Sequence, residues 1–150
     1  MHRRCIEFRV GTPLTAWATV PSSSERTGPH PLVAVATAAS PPGDPIGLVP
    51  GSKFIPESHA FEPERWALAE PGAAAWHHVL LIDDTWTTGA RVQSGAMALA
   101  ADGATAVTVV VLARWLDPSH AETAAFVNER VSRQPDYDPR ICPVTGGTCP

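Results

Sequence analysis

Prolines mark where this chain cannot be regular. Sixteen are present, eleven of them at or before Pro71, and none lies between Gly72 and Asp117. Proline removes a backbone donor and clashes with the preceding helical turn, so ladders and helices avoid it. The regular core is therefore expected between residues 72 and 117, and the first half should be loop-rich around one strand and one helix. Two apolar runs lie inside the gap, Val79-Leu80-Leu81-Ile82 and Ala106 to Leu112. Runs this short and this rich in Val, Leu and Ile read as strands buried on both faces. The connection 84–105 is long enough for a crossover, which makes the two strands parallel with a right-handed connection. A helix is expected from Thr88 to Ala101, with Val92, Ala96 and Leu99 on one face and Gly103 as a left-handed cap. The expected fold is a single α/β domain over 1–150. It has a mostly parallel sheet, helices on both faces, and irregular tails at 1–14 and 135–150.

Composition narrows the function. The chain has 150 residues and a net charge of -4. No basic stripe points to nucleic acid. No apolar stretch approaches the length of a membrane span. The basic start Met1-His2-Arg3-Arg4 is followed by no apolar signal-peptide region. A cytoplasmic protein, with no nucleic-acid or membrane partner, is the expectation.

The chemistry is concentrated in Ile82-Asp83-Asp84-Thr85-Trp86-Thr87-Thr88-Gly89-Ala90. Here a buried strand ends, a short loop follows, and a helix begins. Ligands of parallel sheets bind at that edge. Free amides and the positive end of the helix dipole attract an anion. Thr85, Thr87 and Thr88 add hydroxyl donors, and Gly89 lets the backbone approach closely. The two carboxylates repel phosphate, but they accept hydrogen bonds from vicinal hydroxyls or hold a divalent cation. A phosphate beside a diol is a ribose 5-phosphate. A helix cap would explain one of the acids, but not both acids and the threonine loop.

These residues resemble the phosphoribosyl-pyrophosphate (PRPP) signature of type I phosphoribosyltransferases. The resemblance is strong at 79–92 and thin over the rest of 15–115. It implies that Asp83 and Asp84 hold the ribose hydroxyls, as the catalytic pair, and that Thr85, Trp86, Thr87, Thr88 and Gly89 wrap the 5-phosphate. It also implies Mg2+ carried with PRPP, and transfer of ribose 5-phosphate to a nucleobase or amine nitrogen with release of pyrophosphate. One position departs from the pattern: Arg91 stands where the family usually has Thr or Ser. Little precedes the first candidate strand, so the family's N-terminal hood over the base is expected to be reduced or missing. The alternative is a non-catalytic relative that binds PRPP or a nucleotide in a regulatory or competence-associated role. A homodimer is compatible with either.

Thr15 to Val20 is a candidate strand, followed by a hydroxyl-rich loop and a helix over Leu32 to Ala39 opened by Pro31. By resemblance, Ser22, Ser23, Ser24 and Arg26 would contact pyrophosphate; an ordinary surface turn has the same composition. Residues 40–72 are expected to be mostly irregular, with a short strand over Ile46 to Val49. Lys53 and His59 are candidate cations of a flexible loop, ahead of Arg65. Phe54, Phe61 and Trp66 are expected to pin that segment to the core. His77 and His78 are neighbours on a strand, so they point to opposite faces and read as strand-edge polar residues. Asp117-Pro118 is a helix start, with a helix to Arg133 whose apolar face is Ala124, Val127 and Val131. Cys142 and Cys149 form half a zinc site, a disulfide pair or two ordinary thiols. Cys5 is remote in sequence and no tight CxxC pair exists, so ordinary thiols are preferred and no protein-bound metal is assigned.

Overall fold

The computed structural model describes residues 2–22, 28, 30–56, 58–134 and 138–150. Its centre is the strand β5 (His78–Trp86), in which Val79, Leu80 and Leu81 have no exposed surface. Around it stand β1 (Ala16–Thr19), β2 (Asp44–Ile46) and β6 (Ala106–Arg114), in the order β2-β1-β5-β6, every neighbour parallel. Ala16 stands opposite Val79, Thr19 opposite Ile82, and Asp83 opposite Val111.

The period-two geometry of a strand sorts these residues onto two faces. Val79 and Leu81 join Ala16 and Ala18 beneath Val92 and Leu99 of α3 (Ala90–Ala101). Leu80 and Ile82 join Trp17 on the other face. That face is covered by Ile6 from α1 (Arg3–Val10) and by Leu32 and Ala36 from α2 (Pro31–Ala38). Full burial of each such side chain is worth about 1.5–3 kcal/mol, so the register is strongly held. A separate antiparallel ribbon, β3 (Leu48–Pro50) with β4 (Trp66–Leu68), packs on α3 and completes the first core. Among the described residues, no helix is long and apolar enough to cross a membrane.

The parallel sheet, the two-sided helical cover, the strand over 15–20 and the helix opened by Pro31 match expectation. Other segments differ. Residues 3–10 are a helix rather than an irregular tail: Arg3 pairs with Glu7 at 2.9 Å and Gly11 caps the end with φ 79°. Glu7 also accepts from the Leu14 amide at 2.9 Å, fixing the turn into β1. The single strand expected over 46–49 is split at Gly47 into the ends of two strands that belong to different sheets. β5 continues through Asp84, Thr85 and Trp86, so the loop proper is only Thr87 to Gly89 and the helix begins at Ala90. β6, although apolar, is an edge strand and only half-buried.

The late helix is also shorter than expected. The α4 helix (Ala121–Phe126) is capped at His120, and a π-helical turn (Val127–Val131) follows. Asp117 instead closes a local turn by accepting from the Ser119 amide at 2.9 Å. The helix buries no residue, and Val131 is exposed. Phe61 is exposed too, leaving Trp66 and Phe54 to anchor their segment.

His78 is a buried core residue rather than a strand-edge one. Its Nδ1 lies 3.0 Å from the Thr12 carbonyl and its Nε2 2.8 Å from the Thr108 hydroxyl. Both ring nitrogens are therefore engaged. Replacing this residue by leucine strands the Thr12 and Thr108 oxygens in a dry place. His78→Leu is expected to cost about 1–3 kcal/mol of stability, read from a chemical denaturation midpoint at unchanged slope.

Candidate functional site

The carboxyl end of β5 opens into a cavity of about 220 Å3 lined by His59, Asp83, Asp84, Thr85, Thr87, Thr88, Gly89, Ala90 and Arg91. Most of the residues singled out around the acid pair are thus gathered at one place. Trp86 is the exception: its indole turns under the loop and packs with the core. That packing explains the glycine. Gly89 has φ 78°, and a Cβ there would lie 2.3 Å from the Trp86 ring. The ring acts as a floor that only glycine can cross.

α3 starts directly at this loop, and Gly89 at its N-cap has no side chain to accept from it. The Ala90 amide donates to the Thr88 hydroxyl at 3.3 Å, and no such bond is seen for the next amides of the turn among the described residues. The first-turn amides and the dipole of α3 therefore face the cavity, where an anion fits them.

The two carboxylates differ. Asp84 is exposed at the mouth. Asp83 is 7% exposed, and burial, aided by the neighbouring Asp84, pushes its carboxyl up to about 6. The Asp84 amide donates to Asp83 Oδ1 at 3.0 Å, and that bond, with the nearby Arg91 charge, opposes the rise without cancelling it. Arg91 itself reaches across: its Nη2 donates to the Pro21 carbonyl at 3.0 Å. Its Nε is buried and has no hydrogen-bond partner among the described residues. The residue that departs from the sequence pattern thus links the loop after β5 to the chain that leaves β1.

His59 is carried in by its segment, which hangs from α3. Thr88 Oγ1 donates to the His59 carbonyl at 3.4 Å, the Glu62 amide donates to buried Ser94 Oγ at 3.2 Å, and Trp66 Nε1 donates to the Arg91 carbonyl at 3.2 Å. The loop's other candidate cation, Lys53, lies elsewhere, 2.8 Å from Glu64 and 3.8 Å from Glu62. Arg65 is buried as a structural post. Its Nη2 donates to the Ile55 carbonyl at 3.0 Å, and its guanidinium lies over Phe54 and Trp66.

Ser22 lies apart from the acid pair, lining a second hollow at the end of β1 with Thr19, Pro21 and His30. Ser23, Ser24 and Arg26 fall outside the described residues. A larger hollow, about 420 Å3, opens between the β3–β4 ribbon and α3 and presents the carboxylates of Glu64 and Asp102. Asp102 is occupied by the amides of Gly72 and Ala74 at 2.7 and 2.8 Å. That hollow has the wrong sign for a phosphate and no converging donors.

No protein-family profile matches the chain, and no curated protein sequence does. Among solved structures it is similar to a purine phosphoribosyltransferase from Pyrococcus horikoshii Ot3. Identity is 18% and the TM-score 0.40, over 74% of this chain and 67% of that one. It is also similar to a structure described as the allosteric regulatory enzyme of purine biosynthesis, at 19% identity and a TM-score of 0.45. That likeness covers 74% of this chain and 24% of the other, so this chain spans about a quarter of its length.

Two expectations follow from the geometry. Gly89→Ala is expected to lower stability by about 2 kcal/mol or more, since it combines the left-handed backbone penalty with the Trp86 clash. In the Trp86→Ala background the same change should cost only about 1–2 kcal/mol, the backbone part, which a double-mutant cycle by thermal melting measures. The second expectation concerns Asp83, whose folded value of about 6 lies above the ordinary aspartate range. Its contribution to stability is therefore complete below about pH 4 and is lost as pH rises through about 6. Asp83→Asn should exceed the parent in stability at about pH 8 by about 1–3 kcal/mol and flatten the decline between about pH 4 and 6, as denaturation across that range would show.

Proposed function

We propose that the chain binds PRPP and transfers its ribose 5-phosphate to a nitrogen nucleophile, releasing pyrophosphate. One observation carries this reading: an acid pair and a hydroxyl-rich helix start share one small cavity at the carboxyl edge of the central parallel strand. The acids suit a diol, and the helix start suits a phosphate. The similarity of Ile82 to Ala90 to the type I phosphoribosyltransferase signature points the same way.

In this reading Thr87, Thr88 and the first amides of α3 hold the 5-phosphate, while Asp83 and Asp84 accept hydrogen bonds from the ribose hydroxyls. Exposed Asp84 is the better acceptor for a charged, hydrated ligand. Burial pushes the Asp83 carboxyl up to about 6, and bound hydroxyls and the Arg91 cation would favour its ionised form. The Arg91 guanidinium, which lines the cavity, would contribute positive charge toward a phosphate or pyrophosphate oxygen. The hard oxygen donors of this cavity fit a magnesium ion carried with PRPP, and such an ion would neutralise the leaving pyrophosphate. Catalysis by these residues would be positioning and stabilisation of charge at the anomeric carbon rather than covalent chemistry.

A second reading is favoured by Lys53, whose ammonium is held by Glu64 and Glu62. A chain without that cation over the pyrophosphate could bind PRPP as a signal without turning it over.

Calorimetric titration with PRPP, with and without Mg2+, tests the shared part of both readings. Binding that needs Mg2+ and weakens about tenfold or more in Asp83→Asn/Asp84→Asn is expected, equivalent to about 1.4 kcal/mol or more. Unchanged affinity in the double variant overturns the ribose assignment. Pyrophosphate release over a panel of nucleobases and amines then separates enzyme from binder.

A further inference from the structure

The two ends of the chain meet at a cluster that the cavity does not use. His2 Nδ1 lies 3.7 Å from Cys5 Sγ, 3.5 Å from Cys142 Sγ and 3.4 Å from Cys149 Sγ. The four atoms all lie within 4.8 Å of one another. We propose that His2, Cys5, Cys142 and Cys149 bind one Zn2+ in a closed structural site that fastens α1 to the carboxyl-terminal tail.

The distances are those of a coordination shell. Zinc–sulfur bonds of about 2.3 Å and zinc–nitrogen bonds of about 2.0–2.1 Å place the corners of a tetrahedron roughly 3.5–3.8 Å apart. A hydrogen-bonding account falls short, because one ring nitrogen offers either one N–H or one lone pair and faces three sulfurs. A disulfide would use two of the sulfurs and leave the third beside the imidazole, whereas all three are free thiols.

The surroundings are built as well. Cys5 and Cys142 are each 2% exposed, so the cluster is set into the protein rather than on it. The tail forms a tight turn: the Gly146 amide donates to the Cys142 carbonyl at 2.8 Å, and the Cys142 amide to the Gly147 carbonyl at 2.7 Å. This turn closes the six residues between Cys142 and Cys149 and brings both sulfurs to one side. The Thr145 hydroxyl donates to the Thr148 carbonyl at 3.1 Å and accepts from the Gly147 amide at 3.4 Å, which stiffens the turn. Val144 packs on the core beside Ile6 and Leu80, which seats the turn on the α1 side of the sheet. His2 and Cys5, three residues apart at the start of α1, complete the set.

Three thiolates, one imidazole and no fifth position describe a structural rather than a catalytic zinc. Binding displaces the thiol protons to solvent and leaves a site of net charge -1. The metal would join segments about 140 residues apart in sequence, and a clip on so long a loop stabilises chiefly by restricting the unfolded chain.

Metal analysis of the full chain, purified under reducing conditions with no tag remaining, is expected to find about one zinc per molecule. Metal-free protein titrated with Co2+ should develop the intense visible d–d bands and sulfur-to-cobalt charge-transfer absorption of a tetrahedral thiolate complex, which Zn2+ then abolishes. Adding Zn2+ should raise the melting temperature. Cys149→Ser, which changes the exposed member of the set, should lose the tetrahedral spectrum, and His2→Ala should weaken binding about tenfold or more. Should either variant fail to fold, the cobalt spectrum of the parent decides alone. Metal-free protein with a Cys142–Cys149 disulfide in peptide mapping, or a weak six-coordinate cobalt spectrum, would overturn the site.

Discussion

The structure depends on β5 having no wet face. Val79 to Ile82 are buried on alternate sides, under α3 on one and under α1 and α2 on the other. A strand walled in this way has only its carboxyl end on which to place polar chemistry, and the sequence turns from Ile82 to Asp83 at that point. Parallel pairing does the rest. β1 runs the same way as β5 and ends opposite Ile82, so the chain leaving Thr19 and the loop after Trp86 come out on the same edge, and Arg91 can span them.

The central strands and the helix between them were legible because their signals are local. Four apolar residues followed by two acids, and a crossover free of proline, admit few other arrangements. The parts that were missed were decided by distant partners. The helix over Arg3 to Val10 has a mostly polar sequence, and its hold comes from Ile6 and Cys5 beneath it and from Glu7 bonded to Leu14. β4 is only three residues, recognisable once Leu48 stands opposite Leu68. His78 reads as a polar edge residue until Thr12 and Thr108 close on its two nitrogens. Among the site residues, the acids and the threonines announced themselves by order. The choice between His59 and Lys53 did not, because it rests on which carbonyl Thr88 reaches and which carboxylates surround Lys53. The cysteines show the same limit. Spacing reveals two thiols, and the fold supplies the other two members.

Charge in the cavity is arranged unevenly. A buried acid, an exposed acid and a guanidinium line one small volume. Burial and the adjacent Asp84 push the Asp83 carboxyl up to about 6, so ionising it beside Asp84 carries a cost in the empty site. Under the proposed reading, a ligand with both hydroxyls and negative oxygens would answer both kinds of group together.

Thr88 in the loop before α3, and the Arg91 carbonyl and Ser94 within α3, hold the 59–66 segment at three points. One wall of the cavity therefore travels with the helix as a single body. On the opposite bank, where the chain leaves β1, the Arg91–Pro21 bond ties that chain to the same helix. A change at Arg91 therefore reaches both walls of the cavity at once.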